Sequence, residues 1–204
     1  YAQAIDDPAL RDHIRAKLGT PTKTTKILDV GCGPGHDAAA LAKTGFQVTA
    51  IDQCEGFIEY GKANYPEVHF EYMDLHEPIF ELASFDGILA MASLIHVQPE
   101  DMPRVIERYA KLLKPSGRLV IWASDSASVS HYDVENWGDL PENPLRIWCH
   151  KRDRLAQICA NVGLRNTTIE ALESDYYARI ERIIANRIVS YLLVAYAPAS
   201  SSSG

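Results

Sequence analysis

"ILDVGCGPGHDAAAL", residues 27–41, sets three glycines at alternate positions, 31, 33 and 35, between an apolar run and an alanine-rich stretch. The apolar run reads as a buried strand, and "HDAAALAKTG" as a helix with glycine as its stop signal. Glycine lets the backbone take positive φ and approach a ligand with no Cβ in the way. The helix behind such a bend presents unpaired N–H groups and the positive end of its dipole, which suit a carboxylate or a phosphate. Asp29 adds an acid two residues ahead of the first glycine. The stretch predicts a strand, a ligand-holding bend and a helix, in that order.

The chain around it keeps the same rhythm. "FQVTAID" reads as a second strand, "EGFIEYGKANY" as a helix ended by Pro66, and "VHFEYMDL" as a third strand. "FDGILAMAS" is a buried strand. "PEDMPRVIERYAKLLKPSG" is the clearest helix, with Val105, Ile106, Tyr109, Leu112 and Leu113 on one face, opened by Pro99 and closed by Pro115 and Gly117. "RLVIWAS" follows as a fifth strand, and residues 124–147 read as loop. "KRDRLAQICANVG" is a helix, "LRNTTIEALE" a strand, "DYYARIERIIANRI" an amphipathic helix and "VSYLLVAYA" a last strand. Strand and helix alternate from residue 26 to 123, which implies right-handed βαβ units and a parallel sheet covered on both faces. Ligands of such sheets sit beyond the carboxyl ends of the strands. The expected organisation is a helical segment over residues 1–22, a single α/β domain over 23–198 and a disordered tail over 199–204.

Composition narrows the function classes. The chain has 204 residues, 47% of them apolar and 23% charged, enough for one well-buried domain. Twenty basic against 27 acidic residues give a net charge of −7. That argues against a sequence-independent grip on nucleic acid or an anionic membrane. The four cysteines form no CxxC pair and no finger-like spacing with histidine, so reduced thiols are expected and no metal site. No apolar run reaches the ~20 residues that cross a bilayer, and no signal peptide is visible, so a cytoplasmic location is expected. The chain opens on Tyr1 rather than methionine, and its closing "ASSSSG" has the look of an added remnant.

The spacing of the glycines separates two ligand classes. A dinucleotide fingerprint is GxGxxG, which would put its third glycine at 36, where His36 stands. An acid followed by GxGxG, together with the strand order, resembles the class I S-adenosylmethionine-dependent methyltransferases over roughly residues 25–125. That resemblance implies a Rossmann-like, doubly wound, seven-stranded, mostly parallel sheet with an antiparallel last strand. It also implies S-adenosyl-L-methionine as cofactor and a small-molecule methyl acceptor. Asp29, Gly31, Gly33 and Gly35 match the family's first motif. Asp52, ending "VTAID" with Gln53 beside it, matches the acid that accepts the ribose hydroxyls. Asp74 of "YMDL" matches the acid at the adenine amine, with the amide of Leu75 facing a ring nitrogen. Met91, followed by Ala92 and Ser93, falls where strand four passes the methionine part. Asp86 and Ser116 read as structural.

Methyl transfer asks mainly for collinear positioning, which supplies up to ~7–11 kcal/mol of barrier reduction. A base is needed only where the acceptor arrives protonated. His96, a few residues past strand four, is the candidate, with an orienting or simply packed histidine as the alternatives. His36 is expected to shape the bend, and Asp37 to suit the first helical turn. His131, Tyr132, Trp137 and Trp148 either cage an acceptor or cap the core. Tyr176, Tyr177 and Arg179 either line a lid or lie on a solvated helix face, beside an apolar stripe of Ile180, Ile183, Ile184 and the stem of Arg187. Two rival functions remain: an NAD-binding oxidoreductase, against which Gly35 and the lack of a Tyr-xxx-Lys pair count, and a binding module that keeps the cofactor fold without catalysis. The oligomeric state is not written in the sequence.

Overall fold

In the computed structural model, which describes residues 8–134, 145–172 and 188–200, the strands β1 (Lys26–Val30), β2 (Gln47–Asp52), β3 (His69–Tyr72), β4 (Phe85–Met91), β5 (Leu113–Ser126), β8 (Arg165–Leu172) and β9 (Ile188–Tyr196) form one sheet. Its order is β3-β2-β1-β4-β5-β9-β8. The first five strands run parallel, and β9 lies antiparallel to both β5 and β8. Connecting helices are α1 (Pro8–Ala16), α2 (His36–Thr44), α3 (Glu55–Asn64), α4 (Met102–Leu112) and α5 (Arg152–Asn161). This is the expected α/β architecture.

Side-chain alternation explains why the central strands are apolar throughout. Leu28, Ile88, Ala90, Leu119, Ile121 and Leu193 point into one core with α4 and α5. Ile27, Leu89, Val120, Trp122 and Leu192 point into the other, with α1, α2 and α3. Both faces are covered, so neither register position is free to be polar. Helix α1 belongs to this body, since Leu10, Ile14 and Leu18 are buried in the second core. Asp86 holds the far end of the sheet, accepting the Lys26 amide at 2.8 Å and the Lys114 ammonium at 2.7 Å. Ser116 takes φ 62°, the conformation that makes glycine common at that turn.

One stretch differs from expectation. Within residues 124–147, read as loop, β5 continues to Ser126, and β6 (His131–Val134) pairs antiparallel with β7 (Leu145–Trp148) in a separate two-stranded sheet. Four-residue strands of mixed polarity carry too little period-2 signal to be seen against turn residues. Trp137 and the expected helix over 175–188, with Tyr176, Tyr177, Arg179 and its apolar stripe, lie outside the described residues, Ile188 excepted, which opens β9. Among the described residues no helix is long and apolar enough to cross a membrane.

Candidate active site

The bend after β1 is fixed before any ligand is considered. Gly31, Gly33 and Gly35 all have positive φ, at 66°, 55° and 89°. The Cys32 amide donates to the Ile51 carbonyl at 3.0 Å, and the Gly35 amide to the Cys32 carbonyl at 3.1 Å. Two of the glycines answer to neighbours as well as to backbone conformation. A Cβ on Gly31 would lie 2.5 Å from the Ser93 Cβ, and one on Gly35 would lie 2.4 Å from the Phe70 ring. The bend is therefore wedged between the tips of β4 and β3. Beyond Gly35, the His36 Nδ1 meets the Tyr65 hydroxyl at 2.7 Å, and Asp37 receives Arg11 at 2.6 Å and Arg15 at 3.3 Å from α1. His36 thus braces the bend. Burial and the Arg11 charge hold its imidazole below the usual range.

Asp52 joins the bend to the next strand. Its Oδ2 accepts the Gly33 amide at 2.9 Å and its Oδ1 the Cys54 amide at 2.8 Å. Gln53 stands exposed beside it. Leu75 is buried, its Cδ2 3.3 Å from where a Gly31 Cβ would stand, and its carbonyl accepts the buried Tyr109 hydroxyl at 2.8 Å. Asp74 faces outward and takes the amide and ring of His76 at 2.8 and 2.7 Å. Partial burial works against its ionisation, but the His76 bonds outweigh it and keep the carboxyl below its ordinary range.

Asp29 and Ser93 are the unusual members. Asp29 is 1% exposed and Ser93 3% exposed, and the Asp29 Oδ2 and Ser93 Oγ have no hydrogen-bond partner among the described residues. Burial, reinforced by the Asp37 and Asp52 charges, raises the Asp29 carboxyl well above its usual range. Buried polar atoms normally find partners, so two unmet ones beside a glycine bend suit a ligand carrying polar groups.

His96 closes the arrangement from β4. Met91 ends that strand, Ala92 takes φ 53°, and a short 3-10 turn, Leu94–His96, carries the imidazole. Burial lowers its proton affinity, partly offset by a hydrogen bond to the Arg146 carbonyl and by the Asp52 charge. His150, 5% exposed, supports the same turn through its Nε2, 2.9 Å from the Leu94 carbonyl. Sequence reasoning missed these partners. Arg11 and Arg15, one turn apart on an amphipathic helix, carried a signal; a carbonyl on a separate hairpin carried none.

The comparisons bear on the domain and its fold. A family model described as "Methyltransferase domain" matches residues 27–117, from β1 through the turn into β5. Residues 27–117 thus match a methyltransferase domain, in line with the resemblance to the class I S-adenosylmethionine-dependent methyltransferases. A curated family member, "O-methyltransferase cnsE" of Penicillium expansum, is 37% identical over 153 residues, 71% of this chain and 54% of that protein. The chain spans about half the length of the curated relatives it matches, 54% and 56% of two of them. Among solved structures, a "SAM-dependent methyltransferases" protein from Methanosarcina mazei superposes with TM-score 0.72 at 17% identity, over 95% of this chain and 99% of that one. A Haemonchus contortus "Phosphoethanolamine N-methyltransferase 2", solved with S-adenosyl-L-methionine, gives TM-score 0.73 at 15% identity, over 94% of this chain and 53% of that one. At such identities these superpositions show the family fold.

Proposed function

We propose that this chain binds S-adenosyl-L-methionine along the carboxyl ends of β1, β2 and β4, and that His96 takes the proton from a hydroxyl of a small organic acceptor as the methyl group is transferred. One observation carries the reading: the Asp52 carboxylate grips the Gly33 amide, so the acid and the bend form one preassembled cradle. When bound, the cofactor supplies a methyl group already activated on a sulfonium. The work left to the protein is to hold, align and exclude water.

The residues fit that work. Asp52 has lone pairs left on both oxygens for ribose hydroxyls, a charge-assisted pairing. Asp29 and Ser93 offer unmet polar atoms beside Gly31. Asp74, ionised and turned toward His76, serves the adenine end only after its side chain swings, so the Leu75 amide is the firmer contact there. His96 is a neutral acceptor at neutral pH, as a base must be. The oxygen acceptor follows the names of the curated O-methyltransferase relatives.

Calorimetry on the intact chain with S-adenosylmethionine, S-adenosylhomocysteine and NAD is the first test. The two sulfur nucleosides should bind and NAD should not; NAD binding alone would return the chain to the oxidoreductases. Incubation with methyl-labelled cofactor and a panel of phenols and hydroxy acids then tests transfer. Tight cofactor binding with no label moved to any acceptor, including those in a whole metabolite extract, favours the non-catalytic module.

A further inference from the structure

A cavity lies outside the site described above. Its volume is about 320 Å³, near the small end of the range for ligand pockets. It shares no residue with the glycine bend, Asp52, Asp74, Met91 or His96. It opens between the start of α4 and the start of α5, on the sheet face opposite α2. Met102, Leu155 and Ile158 make an apolar floor and are buried. Ser128 and Ser130 stand on an exposed rim with Arg154.

The charge of this cavity is one-sided. Lys151 and Arg154 line it, and no acidic residue does among the described residues. Asp125, just beneath, is shared: Lys151 lies 3.3 Å from its Oδ1 and Arg152 3.2 Å from its Oδ2. That carboxylate is held by these two cations, which leaves Arg154 to face the cavity. Arg154 makes no ion pair among the described residues, and its charge is felt at His150 in the cavity wall. The first amide of α5 is already committed to Asp125 at 3.3 Å, so the attraction comes from side chains rather than from the helix end.

We infer that the cavity between α4 and α5 is a binding site for a small amphipathic monoanion, an apolar body with one carboxylate, separate from the cofactor groove. The apolar body displaces water from Met102, Leu155 and Ile158. The head group meets the Arg154 guanidinium, whose planar fork matches a carboxylate, and the rim hydroxyls. A cation of the same shape is repelled, and a neutral analogue leaves the guanidinium unused. The site stands whether or not the chain transfers methyl groups.

The test is a protein-observed NMR titration of the full chain with hexanoate, hexanol and hexylamine, with and without saturating S-adenosylhomocysteine. Hexanoate should bind about tenfold more tightly than the other two, with shifts centred on Leu155 and Ile158 and no competition from the nucleoside. Arg154→Gln should bring hexanoate down to the level of hexanol, and Ser128→Asp, on the exposed rim, should do the same by repulsion. Ile158→Trp should fill the floor and remove all three. Equal affinity for hexanoate and hexanol in the unaltered chain overturns the anion assignment. Loss of hexanoate shifts on adding S-adenosylhomocysteine, or hexanoate binding unchanged in both Arg154→Gln and Ser128→Asp, overturns the site. A failure of the nucleoside itself to bind bears on the methyltransferase reading and leaves the hexanoate comparison intact.

Discussion

Two connections leave the carboxyl edge of the same sheet and end in a helix, yet they are built differently. The β1–α2 connection spans Gly31 to Gly35, with positive φ at all three glycines and carbonyl and carboxylate anchors from β2. The β5–α5 connection spans residues 127–151 and makes its own β6–β7 hairpin. The first is determined by backbone conformation and by neighbours that leave no room for a side chain. The second is determined by cross-strand pairing, such as Arg146 on Asp133 at 2.8 and 3.0 Å. A bend wedged between neighbouring strands tolerates little variation; an exposed hairpin can change freely while its ends stay anchored.

Substitutions should separate the two. The largest effect is expected at His96: His96→Asn should lower kcat by about 10²–10⁴-fold while cofactor affinity stays put, read by steady-state kinetics beside calorimetry. An intact kcat would make His96 a packing residue. The wild-type acid limb should lie below the ordinary imidazole range, because burial favours the neutral ring; His96→Asn should abolish that limb. At the bend, Gly31→Ala should cost about 2–5 kcal/mol in urea unfolding, since it combines positive φ with a clash against Ser93. Gly33→Val should instead abolish cofactor binding with the fold largely kept; normal binding there would mean that no ligand approaches the backbone.

Smaller effects refine the contrast. Asp52→Ala should weaken cofactor binding by roughly 1.5–3 kcal/mol, the scale of a charge-assisted bond set. Asp29→Asn should raise the melting temperature at neutral pH. Its folded carboxyl is raised, so its ionisation opposes folding increasingly as pH climbs from the unfolded value of 3.8 through the folded one. The gain should vanish below pH 3.8, where both states are protonated; a gain that persists there would point to packing instead. Least of all, Asp133→Ala on the exposed hairpin should leave the melting temperature and cofactor affinity unchanged, and a large loss would make the hairpin a core element.

The same contrast governs what the sequence reveals. Glycine spacing, the strand-end acids and the apolar runs are local signals, and from them the parallel sheet and the bend are legible, while the reversed last strand follows from the family resemblance. The reason for Gly31 and Gly35 is not, because it resides in Ser93 and Phe70, 62 and 35 residues downstream. Nor is the side-chain direction of Asp74, which depends on His76 in the folded turn. The Arg146 backbone, which works against the lowered proton affinity of His96, lies on a hairpin whose strands are too short to announce themselves.

The Phe70 ring occupying the space of a missing Gly35 side chain ties the glycine cradle to β3, the four-residue strand at the sheet's margin. Marginal strands fray before central ones do. Warming should therefore loosen the cradle well before the domain melts, and occupancy of the cradle should in turn protect the β3 amides from solvent exchange.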